Sequence, residues 1–196
     1  MVAPGTYSVE AFSVIDGKEE SLGDALSFEV ESIMEPTLKM QDRKEVIAYM
    51  KEAGLMANKI SAASSVLNDR EEQLGNLIQT ISSHPDGTVE LVEKANALKK
   101  RLSDYKLKLN GDDMKSDKWM RTVPGISSRI RGALFGSMRG TYGPTKAAKE
   151  QYDIGVEEFE EIKDDLFKLL DEELEAFEDE VDEAGIPWTP GRDLPE

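Results

Sequence analysis

The stretch GSMRGTYGPTKAAKEQY, Gly136–Tyr152, gathers three glycines, a proline, two threonines and several basic residues into a short space. A phosphate-gripping P-loop needs Gly, four residues, then Gly-Lys-Ser/Thr between a strand and a helix, so that backbone amides and the lysine converge on phosphate oxygens. Here the order is Gly143-Pro144-Thr145-Lys146, the preceding residues have a helical pattern, and Pro144 has no amide to donate. The stretch therefore reads as a corner between two helices, with Gly140 or Gly143 ending the first and Pro144 in the first turn of the second.

The other chemically suggestive residues fare similarly. In DEELEAFEDEVDEAG, Asp171–Gly185, the acids are interleaved with Leu174, Phe177 and Val181 at helical spacing, which makes them a solvated helix face. DDMKSD, Asp112–Asp117, lacks the glycine and terminal glutamate of a calcium loop. His84, the one histidine, sits in a turn with no cysteine in the chain and no Ser/His/Asp spacing around it. From Lys115 to Lys149 the chain is locally basic and contains Trp119, a combination that can mark nucleic-acid binding, but the acidic segment Glu150–Glu183 can neutralise it within one fold. The residues thus supply no catalytic, cofactor-binding or metal-ligating set, and the chain is expected not to be an enzyme and to need no cofactor.

The elements that position these residues follow from pattern. The chain has 196 residues, with 24 Lys and Arg against 40 Asp and Glu, for a net charge of -16. Such a charge disfavours nonspecific attraction to nucleic acid or an anionic membrane. No apolar run of about 18 residues exists to span a bilayer, and MVAPGTYSVEAF lacks a signal-peptide pattern. Residues 1–36 read as a partial β segment: Thr6–Val14 and Ser27–Ile33 are rich in β-branched and aromatic residues, with an Asp16-Gly17 turn signal between them. Two or three strands are too few to stand alone, so they call for a sheet from elsewhere.

Residues 37–186 are helical in pattern. A first helix is predicted over Leu38–Ile81, facing inward at Val46, Met50, Met56, Ile60, Leu67, Leu74, Leu77 and Ile81. Pro85-Asp86-Gly87 breaks it and Thr88 caps a second helix, which carries Val89, Val92, Leu98, Leu102, Tyr105 and Leu109 and stops at Asn110-Gly111. A polar loop, Asp112–Pro124, precedes a short helix over Ile126–Met138, and a long last helix is predicted over Thr145–Ala184. Gly132, Gly136 and Gly140 recur at four, giving a bare face expected to pack closely on the first or last helix. The fold expected is mainly α: an up-and-down bundle of about four helices preceded by a small antiparallel β element, with 187–196 as a C-terminal tail.

With this layout in hand, a resemblance can be stated. APGTYSVEAFSVIDGKEESLGDALSFEVESIMEPTL resembles the closing β strands of bacterial sortilin-like, BNR-repeat β-propeller proteins often labelled glycosyl hydrolases. Ala3, Pro4, Gly5, Tyr7, Val9 and Asp16-Gly17 carry the match, and Glu35-Pro36 stands in place of the family's acidic-proline ending. GISSRIRGALFGSM, the Pro-Thr opening of GPTKAAKEQYDIGVEEFEEIKDDLFKLLDEELEAF, and the terminal GIPW are similar to the family's helical tail. The resemblance implies a C-terminal region without its propeller, and an exported parent. It transfers no catalytic residue, since the family's Asp-box repeats do not occur here.

The function expected is a noncatalytic structural and interaction module that braces or recruits a protein partner, or the propeller part of its own parent chain. Thr6, Tyr7 and Val9 would supply the edge strand, Ala3–Val9, and Trp119 and Trp188 are the other candidate contacts. A rival reading is a freestanding helical homo-oligomer acting as an adaptor. A third is an accessory part of a glycoside hydrolase that binds glycan through Trp119 or Trp188.

Overall fold

A computed structural model describes residues 4–33, 41–139 and 142–192. Ala3, the Glu35-Pro36 pair, Leu38 and Gly140 of the expectations above lie outside these residues. The fold is mainly α, with a small N-terminal antiparallel β element, as the patterning indicates.

Strands β1 (Gly5–Val9), β2 (Phe12–Ile15), β3 (Lys18–Ser21) and β4 (Leu26–Val30) form one folded-back ribbon, β1 pairing with β4 and β2 with β3. Its turn is Asp16-Gly17, with φ of 51° and 77°. A two-residue turn with both φ values positive matches the right-handed twist of the flanking strands, and Asp-Gly is among the few pairs that adopt it cheaply. Lys18–Ser21, read from sequence as part of the link between two strands, is itself a strand, because this tight turn brings it directly opposite β2.

Helix α1 (Arg43–Ser83) begins at Asp42, whose carboxylate accepts the amides of Lys44 and Glu45 at 2.7 and 3.4 Å. At 41 residues it is roughly 60 Å long. The apolar positions Val46, Ile60, Leu67, Leu74, Leu77 and Ile81 are buried as their spacing predicts, and Ala53 and Gln73 join them. Helix α2 (Val89–Asn110) is capped by Thr88 and stopped by Gly111 at φ 89°. Its inward stripe is Leu91, Ala95, Leu102 and Leu109; Val89, its first residue, is 69% exposed.

A short helix, α3 (Asp113–Asp117), follows, then α4 (Ile126–Met138) and α5 (Lys146–Lys168). Pro144 lies just ahead of the cap residue Thr145, not in the first turn of α5, because the Thr145 hydroxyl accepts the Ala148 amide at 3.1 Å and so sets the helix start. A π-helical turn, Leu169–Glu173, leads directly into α6 (Leu174–Glu183). Leu169, Leu170 and Leu174, within and just after that turn, all reach the core. Beyond α6, Gly185 at φ 75° allows the Ile186 amide to bond the Val181 carbonyl at 3.3 Å, and Ile186 is buried on the core.

The four long helical elements occupy three columns. The Asn110 amide oxygen at the end of α2 accepts from Ser64, midway along α1, at 3.1 Å. α4 then continues alongside the first half of α1, with Arg131 near Ser61 and Gly143 against Val46. α2 and α4 thus run end to end, both antiparallel to α1. The last column, α5 through α6, returns parallel to α1: Tyr152 donates to Glu52, Lys59 faces Glu160, and Gln73 donates to Glu178. At the seam between α2 and α4 the chain leaves at Gly111 and re-enters at Gly125. A Cβ on Gly125 would lie 2.4 Å from the Gly111 nitrogen, so this crossing needs a glycine.

Two predictions follow from this packing. Phe159 is fully buried at the centre, and Phe159→Ala is expected to cost about 3–5 kcal/mol, read as a lowered denaturant midpoint. Gly125→Ala is expected to destabilise by more than about 1 kcal/mol through displaced backbone, whereas Gly132→Ala, whose new methyl meets nothing, should stabilise by up to about 1 kcal/mol; equal Tm shifts for the two would contradict this reading of the crossing.

Candidate functional site

The ribbon is built from alternating residues, and its register sorts them by face. Tyr7 lies opposite Phe28, Val9 opposite Leu26 and Gly5 opposite Val30, while Thr6 faces Glu29 and Ser8 faces Ser27. Residues directly opposite in an antiparallel pair point to the same side. One face of β1–β4 is therefore apolar and the other polar, with Thr6 on the polar side. The Tyr7 and Phe28 rings stack at a centroid distance of 6.1 Å.

Nothing among the described residues covers the apolar face: Leu26 is 70% exposed, Val9 55% and Phe28 49%. The extension is similarly open, with Phe12, Val14 and Ile15 exposed. Among the described residues each strand has one partner, so one edge of each carries backbone amides and carbonyls that no described strand pairs. Covering Val9, Leu26 and Phe28 would stabilise a complex by about 1–2 kcal/mol per side chain from apolar area alone.

The other two sequence-selected residues lie on different elements. Trp119 is 97% exposed in the loop between α3 and α4, at φ 56°, where its amide donates to the Ser116 carbonyl at 2.9 Å. A bulky residue in the left-handed region is uncommon, and here the indole projects into solvent. Beneath the loop, at the α2–α4 seam, lies a cavity of about 490 Å³ with Leu107, Val123, Ile126 and Ile162 in its wall and Arg121 and Glu161 among its charged groups. Trp188 is only half exposed, and its indole N–H donates to the Arg192 carbonyl at 3.2 Å, closing the turn of the tail.

That tail contains a polar cluster that sequence reading missed. Arg192 is 6% exposed; its Nη2 donates to the Glu178 carbonyl at 3.1 Å and lies 2.5 Å from Asp182. Glu178 in turn accepts from the buried Gln73 of α1 at 2.6 Å, and Arg70 donates to Gln73 at 2.8 Å. Residues 186–192 are thereby tied to α6 and α1. The available signal was GIPW followed by a lone arginine, too short to show that the chain folds back.

The residues first considered for chemistry serve the fold. Asp112 caps α3 by accepting the Lys115 amide at 3.0 Å, and the hydrogen bond from the Lys115 side chain holds its carboxyl below the usual range. His84 ends α1, and its Nδ1 accepts the Asp86 amide at 3.3 Å. Burial, aided by Glu52, pushes the Tyr152 phenol up to about 12, and burial likewise raises Tyr49, which packs edge-on against it at 5.5 Å. In the basic region, Arg129 and Lys146 pair with Glu158 and Glu150 of the acidic last column, as expected, and Lys115 pairs with Asp112. The glycine stripe departs from expectation: Gly132 and Gly136 face open space, and the close contact is at Gly155 of α5, against Ile130, because Ile130 and Ala133 form the inward side of α4.

Compared with known proteins, the chain matches no family model, and no curated protein or solved structure shows significant similarity to it.

Arg192→Met should loosen the tail at a cost of about 2 kcal/mol, seen as a lower Tm together with a red shift of Trp188 emission in a Trp119→Phe background. The pair between Arg101 and Glu173 of the π turn gives a pH dependence. A hydrogen bond from Arg101 lowers the Glu173 pKa in the folded chain, so its contribution is complete above the ordinary glutamate range and fades as pH falls through the depressed folded value. The Tm gap between wild type and Glu173→Gln should therefore be present at neutral pH and close in acid.

Proposed function

We propose that this chain is a noncatalytic structural and interaction module whose ribbon completes a β-sheet supplied by a partner, or by a propeller-bearing part of its own parent chain. The observation that carries this reading is the apolar face of β1–β4, exposed at Val9, Leu26 and Phe28, on strands with unpaired edges. An isolated two-stranded ribbon is marginal in water, and strand addition gains main-chain hydrogen bonds at its edge while apolar side chains enter the partner's core. The bundle, whose own apolar stripes are covered from within, then acts as a rigid brace beside that joint. The resemblance of Ala3–Val9 and Asp16-Gly17 to the closing strands of sortilin-like propeller proteins supports the same assignment.

Removal of residues 1–33 should leave the helical circular dichroism signal and its cooperative melt in place while abolishing binding to the propeller-bearing partner. In the full chain, Val9→Lys with Phe28→Lys should do the same without shortening it. Binding that survives both changes would show that the ribbon is not the joint.

A further inference from the structure

The outer side of α4 and α5 is the second uncovered surface. A Cβ placed on Gly132 or Gly136 meets nothing within 4 Å, and beside them Phe135 is 53% exposed and Met138 47%. α4 with its cap residue carries Arg129, Arg131 and Arg139 and no acid, in a chain of net charge -16. Arg129 is turned to α5, bonding Glu158 at 3.0 Å and Gln151 at 2.6 Å, whereas Arg131 and Arg139 have no ion pair among the described residues. Those bonds fix α4 and α5 side by side. On α5, Glu157 and Glu161 are exposed and have no ion pair among the described residues, and Ile154 is partly exposed.

The spacing puts these groups on usable faces: Gly132, Gly136 and Arg139 recur at four and three, as do Ile154, Glu157 and Glu161 at three and four. The layer therefore has a cationic half with an aromatic knob beside a glycine notch, and an acidic half with an aliphatic residue. Such a pattern is self-complementary under a two-fold axis, which lays α4 of one copy on α5 of the other and the reverse. Two copies this acidic repel each other on most surfaces, so a face carrying its own unpaired cations is where they can meet. We propose that the α4–α5 face is the interface of a homodimer, with Arg139 of each copy against the acids of α5 in its partner and Phe135 seated toward the notch at Gly132 and Gly136.

Sedimentation equilibrium of the full chain from low to high micromolar concentration tests this. The expected result is a reversible dimer that weakens roughly tenfold or more in Gly136→Leu, Arg139→Glu and Glu161→Lys, and recovers when the two charge reversals are combined in one chain. Gly136→Leu is expected to keep the monomer fold, since a Cβ at this position meets nothing within 4 Å among the described residues, and an unchanged circular dichroism melt verifies that. A monomer at every concentration overturns the proposal, as does a dimer indifferent to Gly136→Leu and Arg139→Glu. A dimer lost only on Phe28→Lys would place self-association on the ribbon and overturn it equally.

Discussion

The length of α1 sets the terms for everything packed on it. Its buried stripe runs from Val46 to Ile81, and neither α2, at 22 residues, nor α4, at 13, is long enough to cover it alone. The two helices therefore share one column, and the chain must break and resume where they meet. The crossing at Gly111 and Gly125, the projecting loop with Trp119 and the cavity below it all follow from that handover. The last column spans the full length through the π turn, with Tyr152, Phe159 and Leu166 before the turn and Leu174, Phe177 and Val181 after it on the same core.

The ribbon obeys a different economy. Its apolar residues are as numerous for its length as those of a bundle helix, yet they are left exposed, whereas the inward stripes of the bundle helices meet one another. Ribbon and helices are linked at Arg43, which donates to Ser32 at 2.7 Å, an exposed contact that contributes little to stability. The bundle has an apolar core of its own and the ribbon has none among the described residues, and the proposed function rests on that inequality.

Charge is distributed to the same effect. The acids of α5 and α6 point outward and take up the cations that reach them, as in Lys94 with Glu180 and Lys59 with Glu160. The arginines at 131 and 139 sit beyond that reach on the far side of α4. In a chain with 40 acids, cations left unpaired mark surfaces the fold did not need to neutralise.

Local chemistry was legible in the sequence. Helix limits at Thr88, Asn110-Gly111, Ile126 and Gly185, the turn at Asp16-Gly17, the inward positions of α1 and the helical spacing of Leu174, Phe177 and Val181 all depend on neighbours within a turn or two, and periodicity reports those. Tyr7 and Val9 could also be assigned to an open strand, because alternation and the shortage of strands are both visible in one dimension. What only the tertiary structure decided is which stripe each neighbour covers. Gly132 and Gly136 have the spacing of a packing face, but Ile130 and Ala133 bury more apolar area and took the inside; Gly155, without a motif around it, became the close contact. The burial of Arg192 beside Glu178 and Asp182, and the sharing of a column by α2 and α4, likewise depend on residues brought together from distant parts of the chain. Helical spacing specifies that a face will be buried, while the identity of its cover is set by a competition among all the faces at once.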